Sequence, residues 1–369
     1  MRHTFAEINI SKLKFNYLNI GKRVLNRSVM AVVKADAYGH GMIQIVSALE
    51  KLDEKKPAYY GVALLEEGIE LRKAKITESP ILVFAPLKVE EVTEYIKYKI
   101  TPTITSEREV DELRKIKLTR KLKVHINIDT GMGRVGLPLK KGVAIIEKLS
   151  QNKKIVIDGV YTHFATSDEK DKKYAELQLK RFLSIIEKLK KIGVDIGLTH
   201  AANSGAILDM PNAYLDIVRL GISLYGYYPS LETSESVQLK PVMNLISEVA
   251  SISEIQQGNY ISYGRKYKTK SDTKIISVPI GYADGIKRGL TNKIYAIIKN
   301  KKYPQVGTVT MDRIMFDIGG AKVKVGDKVI LLGESRNEAV SVTDWCEVLN
   351  TIPYEITCGI SKRVPRIYK

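Results

Sequence analysis

The chain has 369 residues, of which 44% are hydrophobic, and its 59 lysines and arginines outnumber its 41 acidic residues. A chain of this length exceeds one ordinary core and predicts two domains. No apolar run is long enough to cross a bilayer and no signal-peptide segment begins the chain, which favours a cytoplasmic protein over a membrane or exported one. Cys346 and Cys358 lack metal-ligand spacing, so we expect reduced thiols and no metal site.

The net charge of +18 is compatible with two kinds of protein. One is a nucleic-acid-binding protein, which uses a basic surface to hold phosphates. The other is a globular protein whose surface helices are rich in lysine. The lysines are mixed with acidic residues, as in residues 168–173 and 187–191, and no helix-turn-helix or RNP-like motif is present. We therefore favour the second interpretation, and salt-dependent retention on DNA would support the first.

The amino-terminal residues predict one strand followed by one helix. Phe5, Ile8 and Ile10 indicate a short strand, which we expect to pair with the carboxy-terminal domain. Ser11 is the predicted N-cap of a helix that runs to about Asn26, because a serine hydroxyl accepts a hydrogen bond from the first helical turn.

From Val29 onwards, short apolar segments alternate with amphipathic ones, the clearest helix being expected at about residues 172–191. The predicted strands are residues 29–34, 59–63, 80–84, 100–104, 122–128, 155–163, 196–200 and 215–220. Eight strands that alternate with helices predict an α/β fold, a parallel (β/α)8 TIM-type barrel. An open doubly wound sheet is the alternative, but its glycine-rich dinucleotide fingerprint is missing.

After about Pro229 the helical periodicity fades and β-type segments take over. Strands are predicted at residues 242–255, 275–280, 294–298, 306–309, 314–318 and 328–332. We therefore expect an amino-terminal strand at 1–10, a barrel at 11–235 and a mostly β domain at 236–369.

The first predicted barrel strand ends on Lys34, and Tyr38, Gly39 and Gly41 follow it. A lysine with its stem among apolar neighbours is desolvated, which lowers its pKa and leaves an amine able to form a Schiff base. Barrel enzymes place reactive groups at the carboxyl ends of their strands. Five more chemically active side chains follow the other predicted strands, namely Arg134, His163, His200, Ser204 and Arg219.

The loops after the seventh and eighth barrel strands commonly bind phosphate. Here they offer Ser204 and the backbone N–H groups of Gly221 and Ile222. A phosphate site that faces a Schiff-base lysine predicts pyridoxal 5'-phosphate as the cofactor.

At this point the sequence resembles the alanine racemase family. The resemblance begins with Val-Lys-Ala-Asp-Ala-Tyr-Gly-His-Gly at residues 33–41, which is similar to the family's cofactor-attachment signature. It continues at residues 130–136, 162–165, 200–204 and 218–221, and in the second domain at 262–264, 281–285, 311–312 and 353–355. The motifs span essentially the whole chain in one order.

The resemblance implies that Lys34 holds the cofactor and then acts as one of two bases on the α-carbon of alanine. The opposing base is implied to be the partner subunit's Tyr263, so that a homodimer shares its sites. A phenol has a pKa of about 10, and using it near neutrality requires on the order of 4 kcal/mol of stabilisation. His163 is implied to accept or relay its proton. Arg219 is implied to face the pyridine nitrogen, which it leaves unprotonated because arginine keeps its own proton.

Further residues match positions of the family around these groups. Arg134 and the backbone of Met311 match the substrate-carboxylate site, and His200 is expected to support Arg219. Asp312 is expected to order its loop, and Tyr282 and Asp168 match an entrance corridor. Phosphate-binding positions are matched by Tyr38, Ser204, Gly221, Ile222 and Tyr354.

Two positions depart from the family pattern. Asn127 stands where the family often has a lysine that is modified to a carbamate, so an anion such as chloride is one candidate to balance Arg134. Thr308 stands where an entrance arginine is common, which changes the expected charge of the corridor.

The resemblance implies an alanine racemase, an isomerase that supplies D-alanine for peptidoglycan. A serine or broad-range amino-acid racemase of the same fold is an alternative, and rates on alanine, serine and lysine separate the two. A non-catalytic carrier of pyridoxal phosphate is another, although such carriers lack the β domain that contains Tyr263.

Overall fold

The computed structural model describes residues 3–25 and 27–369. It contains two compact units. One consists of Lys14–Ala37 and Met42–Leu239, and the other of the residues up to Leu13, Tyr38–Gly41 and Lys240–Lys369. The second unit thus includes Tyr38–Gly41, which the sequence assigns to the barrel, and Arg366 Nε donates to the Gly39 carbonyl at 2.9 Å there.

The first unit is a parallel barrel, as expected from the alternating pattern. The strands up to its end are β1 Phe5–Ile8, β2 Ser28–Val32, β3 Tyr59–Val62, β4 Ile81–Pro86, β5 Thr101–Ile104, β6 Leu122–Asp129, β7 Leu137–Pro138, β8 Ile155–Tyr161, β9 Leu198–His200 and β10 Ile217–Leu220. The barrel order is β10-β2-β3-β4-β5-β6-β8-β9, so all eight predicted strands are confirmed. Two backbone hydrogen bonds, Asp216 N to Thr199 O at 3.0 Å and Arg219 N to Ala202 O at 2.9 Å, join β9 to β10.

Helices follow most of these strands and turn their apolar faces inward. They are α1 Ile10–Arg23, α2 Lys34–Gly39, α3 Met42–Glu50, α4 Leu65–Lys73, α5 Val92–Lys97, α6 Glu107–Lys115, α7 Gly142–Ser150, α8 Lys173–Lys191, α9 Ser204–Asp209, α10 Val342–Leu349 and α11 Pro353–Gly359. Short 3₁₀ helices occupy Asp53–Lys55, Val89–Glu91, Pro211–Ala213, Ile222–Tyr225, Tyr263–Arg265, Tyr282–Asp284 and Arg288–Leu290. Among the described residues, none of the helices is long and apolar enough to cross a membrane.

The predicted start of α1 is wrong by two residues. Asn9, not Ser11, caps the helix, because its Oδ1 accepts the Lys12 N–H at 2.8 Å. Ser11 lies inside the first turn instead. Asn26, where the sequence ends this helix, lies outside the described residues, and the helix ends at Arg23.

The second unit is mostly β. Its further strands are β11 Met243–Glu248, β12 Ser251–Ile255, β13 Tyr260–Ile261, β14 Tyr267–Lys268, β15 Thr273–Val278, β16 Tyr295–Ile298, β17 Lys301–Pro304, β18 Ile314–Gly319, β19 Lys328–Ser335, β20 Glu338–Val340 and β21 Arg366–Tyr368. Strand β1 joins its main sheet, antiparallel to β11 and parallel to β21. The predicted strand at 242–255 is two strands, and the one at 306–309 is wrong. Gln305 makes only an isolated bridge to Phe316 there, and Gly307 has a φ of +75°.

Candidate active site

One residue, Val33, separates Lys34 from the end of β2, and Lys34 is half-buried at the carboxyl end of the barrel. The next four residues, 35–38, have φ angles between +52° and +54°, which makes α2 a left-handed turn. Non-glycine residues avoid this conformation at a cost of roughly 1–2 kcal/mol each. Strain of this kind is retained where the surrounding structure imposes it, most often beside functional groups.

Two carboxylates hold the left-handed turn, one from Glu67 of α4 and one from Asp36 within the turn. Glu67 Oε1 accepts the Ala35 N–H at 2.6 Å, while Oε2 of the same residue accepts the Ala63 N–H at 2.7 Å. Asp36 Oδ1 accepts the N–H of Met42, the first residue of α3, at 2.7 Å. The turn is therefore fixed at both ends, and so is the direction in which Lys34 leaves it. The sequence analysis did not identify Glu67 or Asp36.

Arg219, on β10, is 3% exposed and its terminal nitrogens make four contacts. Nη2 donates to the carbonyls of Thr162 and Ala201, each at 2.9 Å. Nη2 also lies 3.1 Å from His163 Nδ1, and Nη1 lies 2.9 Å from His200 Nδ1. Burial lowers the pKa of Arg219 to about 10, so the guanidinium keeps its charge near neutrality.

Both histidines beside Arg219 are neutral at neutral pH. The pKa of His163 is held well below its ordinary value by burial first, and then by the charges of Arg219, Arg134 and Lys34. Burial, followed by Arg219 and His125, does the same to the pKa of His200. Because arginine only donates hydrogen bonds, the Nδ1 atoms of both rings are acceptors, and the two Nη2 protons are shared among His163 and the two carbonyls.

Ser204 gathers backbone N–H groups at the loops after β9 and β10. It is 3% exposed and begins α9, where Asn203 Oδ1 caps the helix through the Ala206 N–H at 3.1 Å. Its Oγ accepts the Gly221 N–H at 3.1 Å and the Ser223 N–H at 3.4 Å. Ile222, which the sequence also predicts to bind phosphate, stands between Gly221 and Ser223 in the chain and is buried. The Gly221 and Ser223 N–H groups are thus bonded to the serine, whose own hydroxyl proton is a donor for an anion.

Arg134 lies in an exposed loop whose backbone is held by Asp129. Asp129 Oδ1 accepts the N–H of Gly131 at 2.8 Å and that of Gly133 at 3.1 Å. Asn127 Nδ2 donates to the Val135 carbonyl at 2.9 Å, and this leaves Oδ1 buried without a protein partner. Oδ1 is an acceptor, so this atom itself suits a donor rather than an anion. Asp168, the predicted corridor residue of this unit, is half-buried, and its carbonyl accepts the Ser230 hydroxyl at 2.5 Å.

In the second unit, Tyr38 lies against Tyr354. The ring centroids are 5.7 Å apart with an interplanar angle of 50°. Tyr354 is in the first turn of α11, and Gly39, with a φ of +82°, packs its backbone against the Thr357 carbonyl. A side chain at Gly39 would collide with that carbonyl, which explains the glycine.

Tyr263 is 74% exposed and stands on a strained turn. Ser262 and Arg265 have φ angles of +65° and +51°, and Gly264 one of +72°. Thr308 holds the turn, since its Oγ1 donates to the Tyr263 carbonyl at 2.6 Å and its own carbonyl accepts the Ser262 hydroxyl at 2.9 Å. Thr308 is 2% exposed, so in this chain it braces the tyrosine instead of lining a charged corridor.

Met311 and Tyr282 are exposed by 51% and 42%, and their backbones are tied together. The Tyr282 N–H donates to the Thr310 carbonyl at 2.9 Å and the Ala283 N–H to the Met311 carbonyl at 3.1 Å. Arg363 bridges two carboxylates beside them. Its Nη2 donates to Asp312 Oδ1 at 2.8 Å, and its Nε lies 3.4 Å from Asp284 Oδ1. No motif or spacing in the sequence points to Arg363.

The barrel unit thus brings together a lysine on a strained turn, a cationic arginine between two neutral histidines, and a serine whose hydroxyl gathers backbone N–H groups. These features define a barrel enzyme of the kind that holds a phosphorylated cofactor against a lysine. Tyr263, Met311 and Tyr282 belong to the other unit, where all three are exposed.

Comparison with known proteins identifies the family. The model of the alanine racemase N-terminal domain matches residues 8–229, and that of the C-terminal domain matches residues 242–368. The alanine racemase of Clostridium tetani is 44% identical, with 100% of this chain and 96% of the relative covered. The solved alanine racemase of Clostridium difficile 630 is 40% identical with a TM-score of 0.92, covering 99% of this chain and 95% of that one. The enzyme of Bacillus anthracis, solved with bound L-Ala-P, is 36% identical with a TM-score of 0.92 and covers 100% and 95%.

The chain belongs to the alanine racemase family.

Proposed function

We propose that the protein interconverts L-alanine and D-alanine, with pyridoxal 5'-phosphate as its cofactor, and supplies D-alanine for peptidoglycan. The observation that carries the proposal is Arg219, held cationic by four contacts on the same barrel rim as Lys34. A relative of the same fold has been solved with bound L-Ala-P, an alanine-like ligand. Family membership over the full chain supports the same activity.

The residues of this chain fit the cofactor. Ser204 with the N–H groups of Gly221 and Ile222 is proposed to hold its phosphate, and the family pattern assigns Tyr38 and Tyr354 to the same role. When bound, the cofactor withdraws electrons from the substrate and so acidifies the proton on the α-carbon.

Arg219 is proposed to set the chemistry of the ring nitrogen. Its pKa of about 10 keeps it a donor at neutral pH, so it offers the nitrogen a hydrogen bond without giving up a proton. Less charge then spreads into the ring than with a protonated nitrogen, which favours simple proton exchange over transamination. His200 is proposed to fix the guanidinium from behind through its Nδ1, 2.9 Å away.

Racemisation requires a base on each face of the α-carbon. Lys34 is proposed as one base and the partner subunit's Tyr263 as the other. His163 is neutral and its Nδ1 is occupied by Arg219, so its Nε2 carries a proton that can hydrogen-bond a phenolate. The exposure of Tyr263 in a single chain supports a homodimer in which each β domain completes its neighbour's site.

The remaining residues are proposed to bind or admit the substrate. Arg134 and the Met311 backbone are assigned to the substrate carboxylate, with Asn127 Oδ1 available to receive an N–H from this region. Asp312, tied to Arg363, orders the Met311 loop. Tyr282 and Asp168 are assigned to the entrance, where a narrow polar mouth excludes bulky amino acids. A cytoplasmic location is proposed because both cysteines are free thiols.

Subunit mixing tests the function and the shared site together. Lys34→Ala should abolish racemisation and the visible absorbance of bound cofactor, whereas Tyr263→Ala should abolish racemisation and keep the cofactor. Tyr260→Ala, at another exposed tyrosine of the same domain, is the control and should remain active.

Mixing the two inactive variants and allowing subunits to exchange should restore racemisation. In a two-fold dimer, a mixed pair has one site with both defects and one intact site, which predicts recovery to about a quarter of the wild-type rate. No recovery on mixing would refute the shared site, and full activity of Tyr263→Ala would refute the two-base assignment. Rates on alanine, serine and lysine decide between a strict and a broad-range racemase.

A further inference from the structure

A line of buried polar side chains runs from Arg219 into the interior of the barrel. Arg219 Nη1 lies 2.9 Å from His200 Nδ1, and His200 Nε2 lies 2.9 Å from His125 Nδ1. His125 Nε2 in turn lies 3.9 Å from Asp158 Oδ2, which is too far for a hydrogen bond, so the carboxylate acts on this atom through its charge. His125 and His200 are 0% exposed. The line links the arginine on the rim to a carboxylate in the middle of β8.

These contacts determine which ring nitrogen of His200 and of His125 carries the proton. Arginine only donates, so His200 Nδ1 is the acceptor and a neutral His200 carries its proton on Nε2. That proton points at His125 Nδ1, which must also be an acceptor. His125 therefore carries its proton on Nε2, facing the Asp158 carboxylate. The reverse order would place an N–H of His200 against an N–H of Arg219.

The rings are held so that they cannot turn to another arrangement. The Tyr161 ring stacks on His200 with centroids 4.6 Å apart and an interplanar angle of 12°. Gly159 leaves room for the His125 ring, because a Cβ at that position would lie 2.6 Å from His125 Cε1. Burial lowers the pKa of both histidines, which keeps them neutral, as the proton order requires.

Asp158 supplies a fixed negative charge at the inner end. Lys123 Nζ lies 2.8 Å from its Oδ1, and the Tyr59 hydroxyl donates to its Oδ2. Burial alone would raise the pKa of Asp158, but His125, Lys123 and Tyr59 together hold it below its ordinary value. The carboxylate is therefore ionised, and it favours the His125 tautomer whose N–H faces it.

We propose that Asp158 and His125 are positioning residues for Arg219 and act on it through His200. The inference rests on the proposed role of Arg219 beside the cofactor. Arg219 and Asp158 favour the same order of protons from the two ends of the line. The charge of Asp158 stabilises the His125 tautomer with its proton on Nε2, and His200 then presents an acceptor that holds the guanidinium in one orientation. The amino-terminal half of the barrel, which usually serves stability alone, would thereby contribute to the chemistry on the rim.

Removing the charge of Asp158 should switch both histidines to the other tautomer. In Asp158→Asn, the negative charge that favours a proton on His125 Nε2 is lost, and an amide turned with Nδ2 towards the ring makes Nε2 the acceptor. His125 Nδ1 would carry the proton, His200 Nε2 would accept it, and the proton of His200 would move to Nδ1. Arg219 Nη1 would face another donor at 2.9 Å and would have to move.

Nitrogen-15 spectra of histidine-labelled protein report these tautomers directly. The chain has only five histidines, so single substitutions assign every signal. We expect the proton on Nε2 of both His125 and His200 in the wild type, with and without cofactor, and on Nδ1 of both in Asp158→Asn. The kcat for alanine should fall, with little change in KM, because Arg219 would lose its fixed orientation.

Tyr59→Phe is the matched control, because it removes a donor to the same carboxylate but leaves its charge. It should keep both tautomers and most of kcat. A proton on Nδ1 of either ring in the wild type would overturn the proposal, and this measurement needs no folded variant. Unchanged tautomers in Asp158→Asn would overturn it too. Wild-type tautomers as expected in a protein that does not racemise alanine would refute the proposed function alone.

Discussion

The left-handed turn after Lys34 can be tested with one substitution made at two places. Ala35 is exposed and has a φ of +53°, so replacing it with glycine loses no packing and removes a conformational penalty of roughly 1–2 kcal/mol. Glycine costs about 0.5–1 kcal/mol more entropy on folding than alanine. Ala35→Gly should therefore stabilise the protein by roughly 0.5–1 kcal/mol.

Ala144 is the matched control. It is also exposed, but it lies in the right-handed helix α7, where Ala→Gly should cost about 1 kcal/mol. For a barrel of this size, these changes should raise the unfolding temperature by roughly 1–4 °C in Ala35→Gly and lower it by a similar amount in Ala144→Gly. Scanning calorimetry of both variants in the same buffer measures whether each unfolding temperature rises or falls relative to the wild type.

The same pair of variants reports on function. If the strained turn aims Lys34, Ala35→Gly should reduce kcat for alanine although the protein is more stable, and Ala144→Gly should leave kcat unchanged. A loss of stability in both variants, by similar amounts, would refute the argument that the turn stores strain.

Two other predictions follow from the site. His125, His163 and His200 have lowered pKa values, so stability should be complete above the unfolded-state pKa of about 6.5 and fall as the pH decreases below it. Each histidine should contribute up to ~1.4 kcal/mol between pH 7.5 and 5.5, and a flat urea-unfolding profile over that range would contradict their burial as neutral rings. Thr308→Val should lower kcat several-fold by freeing the Tyr263 turn, while cofactor absorbance stays unchanged. Full activity would show that the hydroxyl does not hold the tyrosine.

The barrel was predictable because its signal is local. The strands are short apolar runs, and a polar residue stands at or near the end of four of them, which locates Lys34, His163, His200 and Arg219 on one rim without any knowledge of long-range contacts. The predicted boundaries are least accurate where competing local signals meet. Ser11 is a good N-cap residue, but Asn9 lies two positions earlier and takes that role.

The supporting residues were not predictable in this way. Glu67 reaches Ala35 across 32 positions, and Thr308 reaches Tyr263 across 45, so neither pair leaves a spacing pattern in the sequence. His125 lies inside an ordinary β-pattern and reads as a core residue until His200 is placed beside it. Such contacts depend on how the barrel closes and on how the β domain folds.

The backbone conformation beside the reactive residues was not predictable either. Residues 35–38 contain no glycine, yet they form a left-handed turn. Among the described residues, 15 non-glycine residues have a positive φ, and six of them flank Lys34 or Tyr263. The others include ordinary turn positions, such as the αL residue Asn350 that ends α10. The two side chains proposed to exchange the proton are therefore each presented by backbone that its own sequence disfavours. Tertiary contacts from Glu67 and Thr308 must maintain both conformations, and this explains why the reactive residues can be found from the sequence while their geometry cannot.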